Sequence, residues 1–194
     1  MDKLSYALGL SMADNMKKSG LGNINAADFA KGMEAMLSGA KADITLDEAH
    51  MIIRTHMAQL QEKQANANKE AGEKFLAENK KKAGVITTES GLQYEVITMG
   101  NGPKPKATDT VLCHYHGTLI DGTVFDSSVD RGEPIDFPVN GVIPGWVEAL
   151  QLMPVGSKWK LYIPSNLGYG EYGAGEAIAP NSALIFDVEL IEIK

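Results

Sequence analysis

The 194-residue chain contains a single cysteine, Cys113. A lone thiol excludes an intramolecular disulfide framework and any zinc site built from several cysteines. No apolar run approaches the ~20 residues of a membrane span, and the opening MDKLSYALGL has neither the basic start nor the apolar stretch of a secretory leader. The chain as numbered is therefore expected in the cytoplasm, or in the periplasm if a leader has been removed from it. Proline is missing from residues 1–84, since all 8 lie beyond them. Basic charge is scarce in the second half: residues 85–194 carry 6 Lys/Arg against 14 Asp/Glu, whereas residues 1–84 carry 12 against 11. The net charge of −7 thus comes wholly from the residues after 84, and an acidic surface repels nucleic acid, so no such partner is expected. Aromatics follow the prolines, 10 of 13 falling in the second half, while 7 of the 9 methionines lie within the first 57 residues. Two architectures share one chain.

The first part reads as helix. Leu4, Leu8, Met12 and Met16 recur every fourth residue before Lys17, Lys18 and Gly20 close the segment. Asn25 can cap a second helix with Phe29, Met33, Met36 and Leu37 on one face, ending at Gly39. Thr45-x-x-Glu48 is a capping box for a third, whose apolar stripe is Ala49, Ile52, Ile53, Met57 and Leu60. Beyond Leu60 the stripe thins, but only Gly72 weakens the helix before Lys80–Lys82. A helix from Leu46 to Lys82 would be about 55 Å long at ~1.5 Å per residue. Two short Met-rich helices can cover only its first half, which makes a second copy of the chain the expected partner. A monomeric three-helix bundle is the alternative.

After Gly84 the period changes to two. GLQYEVITMG alternates, TVLCHYHGTLI and GTVFDSS flank the hairpin signal Asp121-Gly122, and PIDFPV, SKWKLYIP and ALIFDVELIEI read as further strands. Pro144 opens one short helix, WVEALQL, and Pro154 prevents its extension. The expected fold is α+β: an all-helical dimerisation region (1–45), a long connecting helix (46–84), and a curved antiparallel sheet of about five strands wrapped over one short helix (85–194). Gly168-x-Gly170-x-x-Gly173 has the spacing of a dinucleotide fingerprint. The ten or so residues that follow, broken by Gly175 and Pro180, are too few for the crossover helix such a site requires. A loop presenting Tyr169 and Tyr172 remains.

The ordered series Tyr115-x-Gly117, Asp121-Gly122, Val124-Phe125-Asp126-Ser127-Ser128, Val142-Ile143-Pro144-Gly145-Trp146, Met153-Pro154-Val155-Gly156, Tyr169-Gly170 and Leu184-Ile185-Phe186-Asp187-Val188-Glu189-Leu190 closely resembles the FK506-binding-protein peptidyl-prolyl cis/trans isomerases over about residues 88–194. The helices before it look like the dimerising region of bacterial two-domain members of the macrophage-infectivity-potentiator type. The resemblance implies a homodimer through the N-terminal helices, V-shaped with a cleft. It also implies catalytic positions at Tyr115, Phe125, Asp126, Trp146, Tyr169 and Phe186, with Trp146 as floor of a proline pocket. Val142, Ile143, Ile135, Ile178 and Arg131 are the implied substrate and FK506 contacts, the Ile143 N–H and the Tyr169 hydroxyl meeting carbonyls. Ile135 stands where an aromatic is frequent, and Ala174 and Ala177 replace bulkier loop residues.

The implied partners are unfolded or flexible proline-containing proteins, with macrolides such as FK506 as inhibitors. No cofactor or metal is called for. His114 and His116 share a strand face with no third ligand evident, and Cys113 reads as a small core residue. The alternative function is a non-enzymatic chaperone that binds clients with the same fold.

Overall fold

The computed structural model describes residues Met1–Lys194. Three helices come first: α1 (Lys3–Lys18), α2 (Ala26–Ser38) and α3 (Leu46–Asn79). Each begins where a side chain can satisfy orphan N–H groups. Asp2 accepts from the Ser5 N–H at 2.8 Å, and Asn25 accepts from Ala27 and Asp28. Thr45 and Glu48 bond reciprocally, Thr45 N–H to Glu48 Oε2 at 2.8 Å and Glu48 N–H to Thr45 Oγ1 at 3.2 Å. Gly39 ends α2 at φ 69°, a left-handed conformation that glycine adopts without steric cost. Helix α3 stops at Asn79 rather than Lys82. Lys81 and Lys82 donate instead to the carbonyls three residues back, tightening the last turn, while Asn79 turns its side chain into the core.

Two compact units divide the chain, Met1–Gln61 and Glu62–Lys194. In the first, neither α1 nor α2 has a buried residue, and Leu4, Leu8, Met36, Leu37, Ile52 and Ile53 are all more than half exposed.

The second unit begins inside α3. The apolar stripe thins after Leu60, and a different one takes its place, built from small and amide residues. Gly72 is buried so tightly that a Cβ there would lie 3.1 Å from the Cβ of Ala183. Phe75 packs on Tyr162 with ring centroids 6.0 Å apart, and the buried Asn79 amide donates to Gln93 at 3.0 Å. Gln93 in turn donates to the Leu76 carbonyl at 2.9 Å.

Seven strands follow: β1 (Val85–Thr87), β2 (Gln93–Thr98), β3 (Thr110–Leu119), β4 (Val124–Ser127), β5 (Ile135–Pro138), β6 (Lys158–Ile163) and β7 (Leu184–Ile193). They pair antiparallel in the order β1-β2-β6-β7-β3-β4, with β5 also on β3. The six segments read as strands are β2 to β7, more than the five or so expected in the sheet, and β1 is added because its three residues are too few for alternation to be visible. A second short helix, α4 (Ser128–Arg131), capped by the Ser127 hydroxyl, also escaped the reading. The expected short helix is α5 (Pro144–Leu152), with Pro144 in its first turn and Gly145, Trp146, Ala149 and Leu150 buried. A Cβ on Gly145 would come within 2.7 Å of Ile163 Cγ2, so glycine lets α5 lie directly on β6.

Along β3, Val111, Cys113, Tyr115 and Gly117 face the core. Cys113 is fully buried, and burial, aided by the nearby charge of Asp136, pushes its thiol up to about 12. Thiolate is the reactive form. Native protein at pH 8 is therefore expected to leave Cys113 unmodified by a thiol reagent, with one equivalent reacting in denaturant; rapid native labelling would contradict this burial. No helix is long and apolar enough to cross a membrane.

Candidate active site

The concave side of the sheet and the N-terminal end of α5 enclose a cavity of about 590 Å³, within the range of small-molecule sites. Alternation along β3 aims Tyr115 into it, β4 contributes Phe125 and Asp126, and β7 contributes Phe186. Val142 and Ile143 lead into α5 and Trp146 forms the floor. The loop between β6 and β7 supplies Tyr169, Ala174, Gly175, Ala177 and Ile178.

The floor is held by rings set edge-on to the indole. Tyr115, Phe137 and Phe186 lie at centroid distances of 5.6, 5.5 and 5.3 Å from Trp146, with interplanar angles of 84°, 70° and 79°. Phe125 meets Phe186 at 5.3 Å and 82°. Edge-to-face packing places the positive ring edge against a π face and fixes ring orientation. Gly117 makes this possible, because a Cβ there would lie 2.6 Å from Phe125 and 2.9 Å from Phe186.

One polar cluster interrupts the aromatic wall. The Tyr115 hydroxyl and the Arg131 guanidinium both donate to Asp126, and Arg131 Nη2 donates to the Tyr115 oxygen at 2.8 Å. Burial alone would raise the Asp126 carboxyl, but the hydrogen bonds from Tyr115 and Arg131, with the guanidinium charge, hold it below its ordinary value. Burial, then the bond to Asp126, raises the Tyr115 phenol. The arrangement holds a carboxylate beside a neutral phenol. The Ile143 N–H has no acceptor within the chain.

Ten of the expected site residues meet in or on this cavity. Tyr115, Phe125, Asp126, Val142, Ile143, Trp146, Tyr169, Ile178 and Phe186 line it, and Arg131 lies outside the wall, bonded to two members of it. Ile135 does not line it. The wall position on β5 belongs to Phe137, which the sequence reading missed. Both residues point to the same side, two apart, so alternation cannot choose between them; register can. Phe137 stands opposite Val111 and reaches Trp146, whereas Ile135 pairs with Cys113 and packs on the core beyond the cavity. His114 and His116 face away and bond to the Ser128 and Ser127 hydroxyls at 3.0 and 2.9 Å.

Comparison with known proteins agrees with this geometry. The family model for "FKBP-type peptidyl-prolyl cis-trans isomerase" matches residues 102–191, and that for the "Domain amino terminal to FKBP-type peptidyl-prolyl isomerase" matches residues 1–96. The chain is 50% identical over 192 residues to the FKBP-type 22 kDa peptidyl-prolyl cis-trans isomerase of Escherichia coli K12, covering 97% of this chain and 93% of that protein. It is 44% identical over 200 residues to the outer membrane protein MIP of Legionella longbeachae, covering 100% of this chain and 85% of the relative. The crystal structure of FkpA from Escherichia coli superposes with a TM-score of 0.81 at 36% identity, over 99% of this chain and 95% of that one. These comparisons lend the cytoplasmic expectation no support, one relative being named for the outer membrane. Fold, cavity and relatives agree, and the chain belongs to the FKBP-type peptidyl-prolyl cis-trans isomerases.

Proposed function

We propose that the aromatic cavity takes the proline ring of an X-Pro segment and favours the twisted amide, and that the chain does so as a homodimer on unfolded or flexible proteins. The carrying observation is the cavity wall: four rings in edge contact with one another, and a single carboxylate already committed to Tyr115 and Arg131. Isomerisation breaks no bond, so neither a nucleophile nor a proton-transfer group is required. Its barrier, ~18–20 kcal/mol, comes from amide resonance. The planar ground state is more charge-separated than the twisted transition state, and an apolar wall disfavours the former relative to the latter. Trp146 supports the ring from below, while the Ile143 N–H and the Tyr169 hydroxyl are the donors offered to substrate carbonyls. The uncatalysed reaction takes tens of seconds or longer, slow enough to limit folding.

The dimer reading rests on α1 and α2, which have no fully buried residue within their own chain and leave Leu4, Leu8, Met36 and Leu37 more than half exposed. Isolated helices of 16 and 13 residues are marginal in water, and a second copy presents the same apolar stripes to be covered. Macrolides of the FK506 type are the proposed competitors for the cavity. The test is the cis-to-trans rate of a Leu-Pro peptide with and without FK506, joined to sedimentation of the full chain. Acceleration abolished by FK506, from a particle of two copies, is the expected result. Acceleration untouched by occupants of the cavity would sink the site reading, and a monomer would sink the dimer.

The pH profile gives an independent check. Asp126 lies below its ordinary value and is ionised throughout the neutral range, while Tyr115 lies above its own and stays protonated there. The contribution of the Asp126 cluster is present above the unfolded carboxylate value and is lost as acid protonates it. Between about pH 5 and 9, kcat/KM for a non-ionisable peptide is expected to be flat. A bell centred near neutrality would point to acid-base chemistry instead.

A further inference from the structure

The loop from Gly168 to Ser182 supplies Tyr169 and Ile178 to the cavity, and its internal bonds shape it without fixing where it sits against the rest of the unit. Gly170, Gly173 and Gly175 all have positive φ, at 60°, 68° and 54°; inside the loop the ties are the Ala174–Ile178 bridge, with bonds of 2.8 and 3.1 Å, the Asn181 N–H to the Gly170 carbonyl, and a turn from Ser182 back to Ala179, while the Gly170 N–H donates to the Ser165 carbonyl before it. Such a segment loses much conformational entropy on ordering and needs anchors outside itself. Two of them come from α3. Asn68 Nδ2 donates to the Pro180 carbonyl at 2.9 Å, and Asn181 Nδ2 donates back to the Ala65 carbonyl at 3.4 Å. Gln64 Nε2 donates to Asn68 Oδ1 at 2.8 Å, which orients the Asn68 amide toward Pro180.

Asn181 joins the helix to the aromatic end of the loop. Its N–H donates to the Gly170 carbonyl at 2.8 Å, one residue from Tyr169. It is also the one non-glycine residue with positive φ, 59°, a conformation asparagine tolerates better than most residues. Backbone strain of this kind persists where the surroundings over-determine it, and clusters at functional sites.

We propose that this stretch of α3 is part of the isomerase site: Asn68, oriented by Gln64, and Asn181 are positioning residues that hold Tyr169 and Ile178 against the proline cavity. The inference rests on the cavity being the substrate site. Because the floor and the Asp126 cluster belong to other elements, loosening the loop weakens substrate capture and leaves the chemical environment of the bound amide in place.

Asn68→Asp in the full chain tests it. The variant keeps size and the acceptor for Gln64 but removes the donor to Pro180. KM for an X-Pro peptide is expected to rise roughly 3- to 10-fold, the equivalent of one lost hydrogen bond, with kcat within about 2-fold. Amide exchange should quicken in residues 169–181 and not in β3 or β7. Asn101→Asp, the same charge change at an exposed residue between β2 and β3 that lines no part of the cavity or of the loop, is the control and should leave KM unaltered. Should Asn68→Asp not fold, Asn181→Gly removes the bond to Ala65 while allowing the positive φ, and the same shift in KM is expected.

An unaltered KM, a rise matched by Asn101→Asp, or exchange that is unchanged in the loop or spread through the sheet overturns the proposal. Failure of the site reading looks different. In that case the unmodified protein's own activity would survive loss of Trp146.

Discussion

Replacing Trp146 by alanine is expected to lower kcat/KM for an X-Pro peptide roughly 100-fold, about 2.7 kcal/mol of transition-state stabilisation. The same change should cost about 3–5 kcal/mol of folding stability. Both follow from one geometry. Trp146 is 4% exposed and is the common neighbour of Tyr115, Phe137 and Phe186, so truncation empties the floor and frees three rings at once. Trp146→Phe separates chemistry from stability. The indole Nε1 is buried with no acceptor in the chain, so phenylalanine gives up no hydrogen bond and keeps an aromatic face under the substrate. We expect this variant within roughly tenfold of the parent in kcat/KM. The check is peptide kinetics alongside urea unfolding, at a temperature where both variants are folded. A folded Trp146→Ala protein with parental kcat/KM would mean that catalysis happens elsewhere.

Truncation should divide the protein's activities, and where the chain is cut decides how. A chain of residues 62–194 keeps the whole second compact unit; it is expected to be monomeric, to retain peptide activity, and to lose part of its effect on refolding of proline-containing proteins. Linked sites raise the effective concentration of one pocket for a client held by the other, an advantage a short peptide does not register. A chain of residues 85–194 also loses Gly72 and Phe75 from the sheet, leaves Ala183 and Tyr162 uncovered, and takes from the buried Gln93 its Leu76 and Asn79 partners. Apolar area of that size is worth about 3 kcal/mol. The shorter chain should therefore melt roughly 10 °C below the longer one. Its KM should also be higher, since Ala65 and Asn68 have gone with the helix. Equal melting temperatures would show that α3 contributes nothing to this unit. A refolding activity that falls in step with peptide activity would show that the N-terminal helices serve no client.

Helix starts were legible because capping is local: Asn25 and the Thr45/Glu48 box act within three residues of themselves. The docked stripe of α3 was not. Asn68, Gly72 and Asn79 carry no hydrophobic signal, and their burial depends on partners more than ten residues away in sequence. Gly72, which reads as a weak point in a helix, is what permits contact with Ala183. At the site, nine residues named from the long ordered motif line the cavity. The exchange of Ile135 for Phe137 came from β5 register, to which a period-two pattern is blind.

By itself, then, the sequence determined the division into helical and sheet regions, the helix caps, the concave aromatic face and most of the wall around Trp146. The regions and caps follow from short-range chemistry and from periodicity, which one chain segment carries alone; the aromatic face and the wall came from the resemblance of the ordered motif to the isomerase family. Tertiary structure decided which β5 residue reaches the indole, how Asp126, Tyr115 and Arg131 share their protons and charge, and how α3 grips the loop above the cavity. Those depend on register and on contacts between segments distant in the chain, and their energies exist only once the segments are packed together.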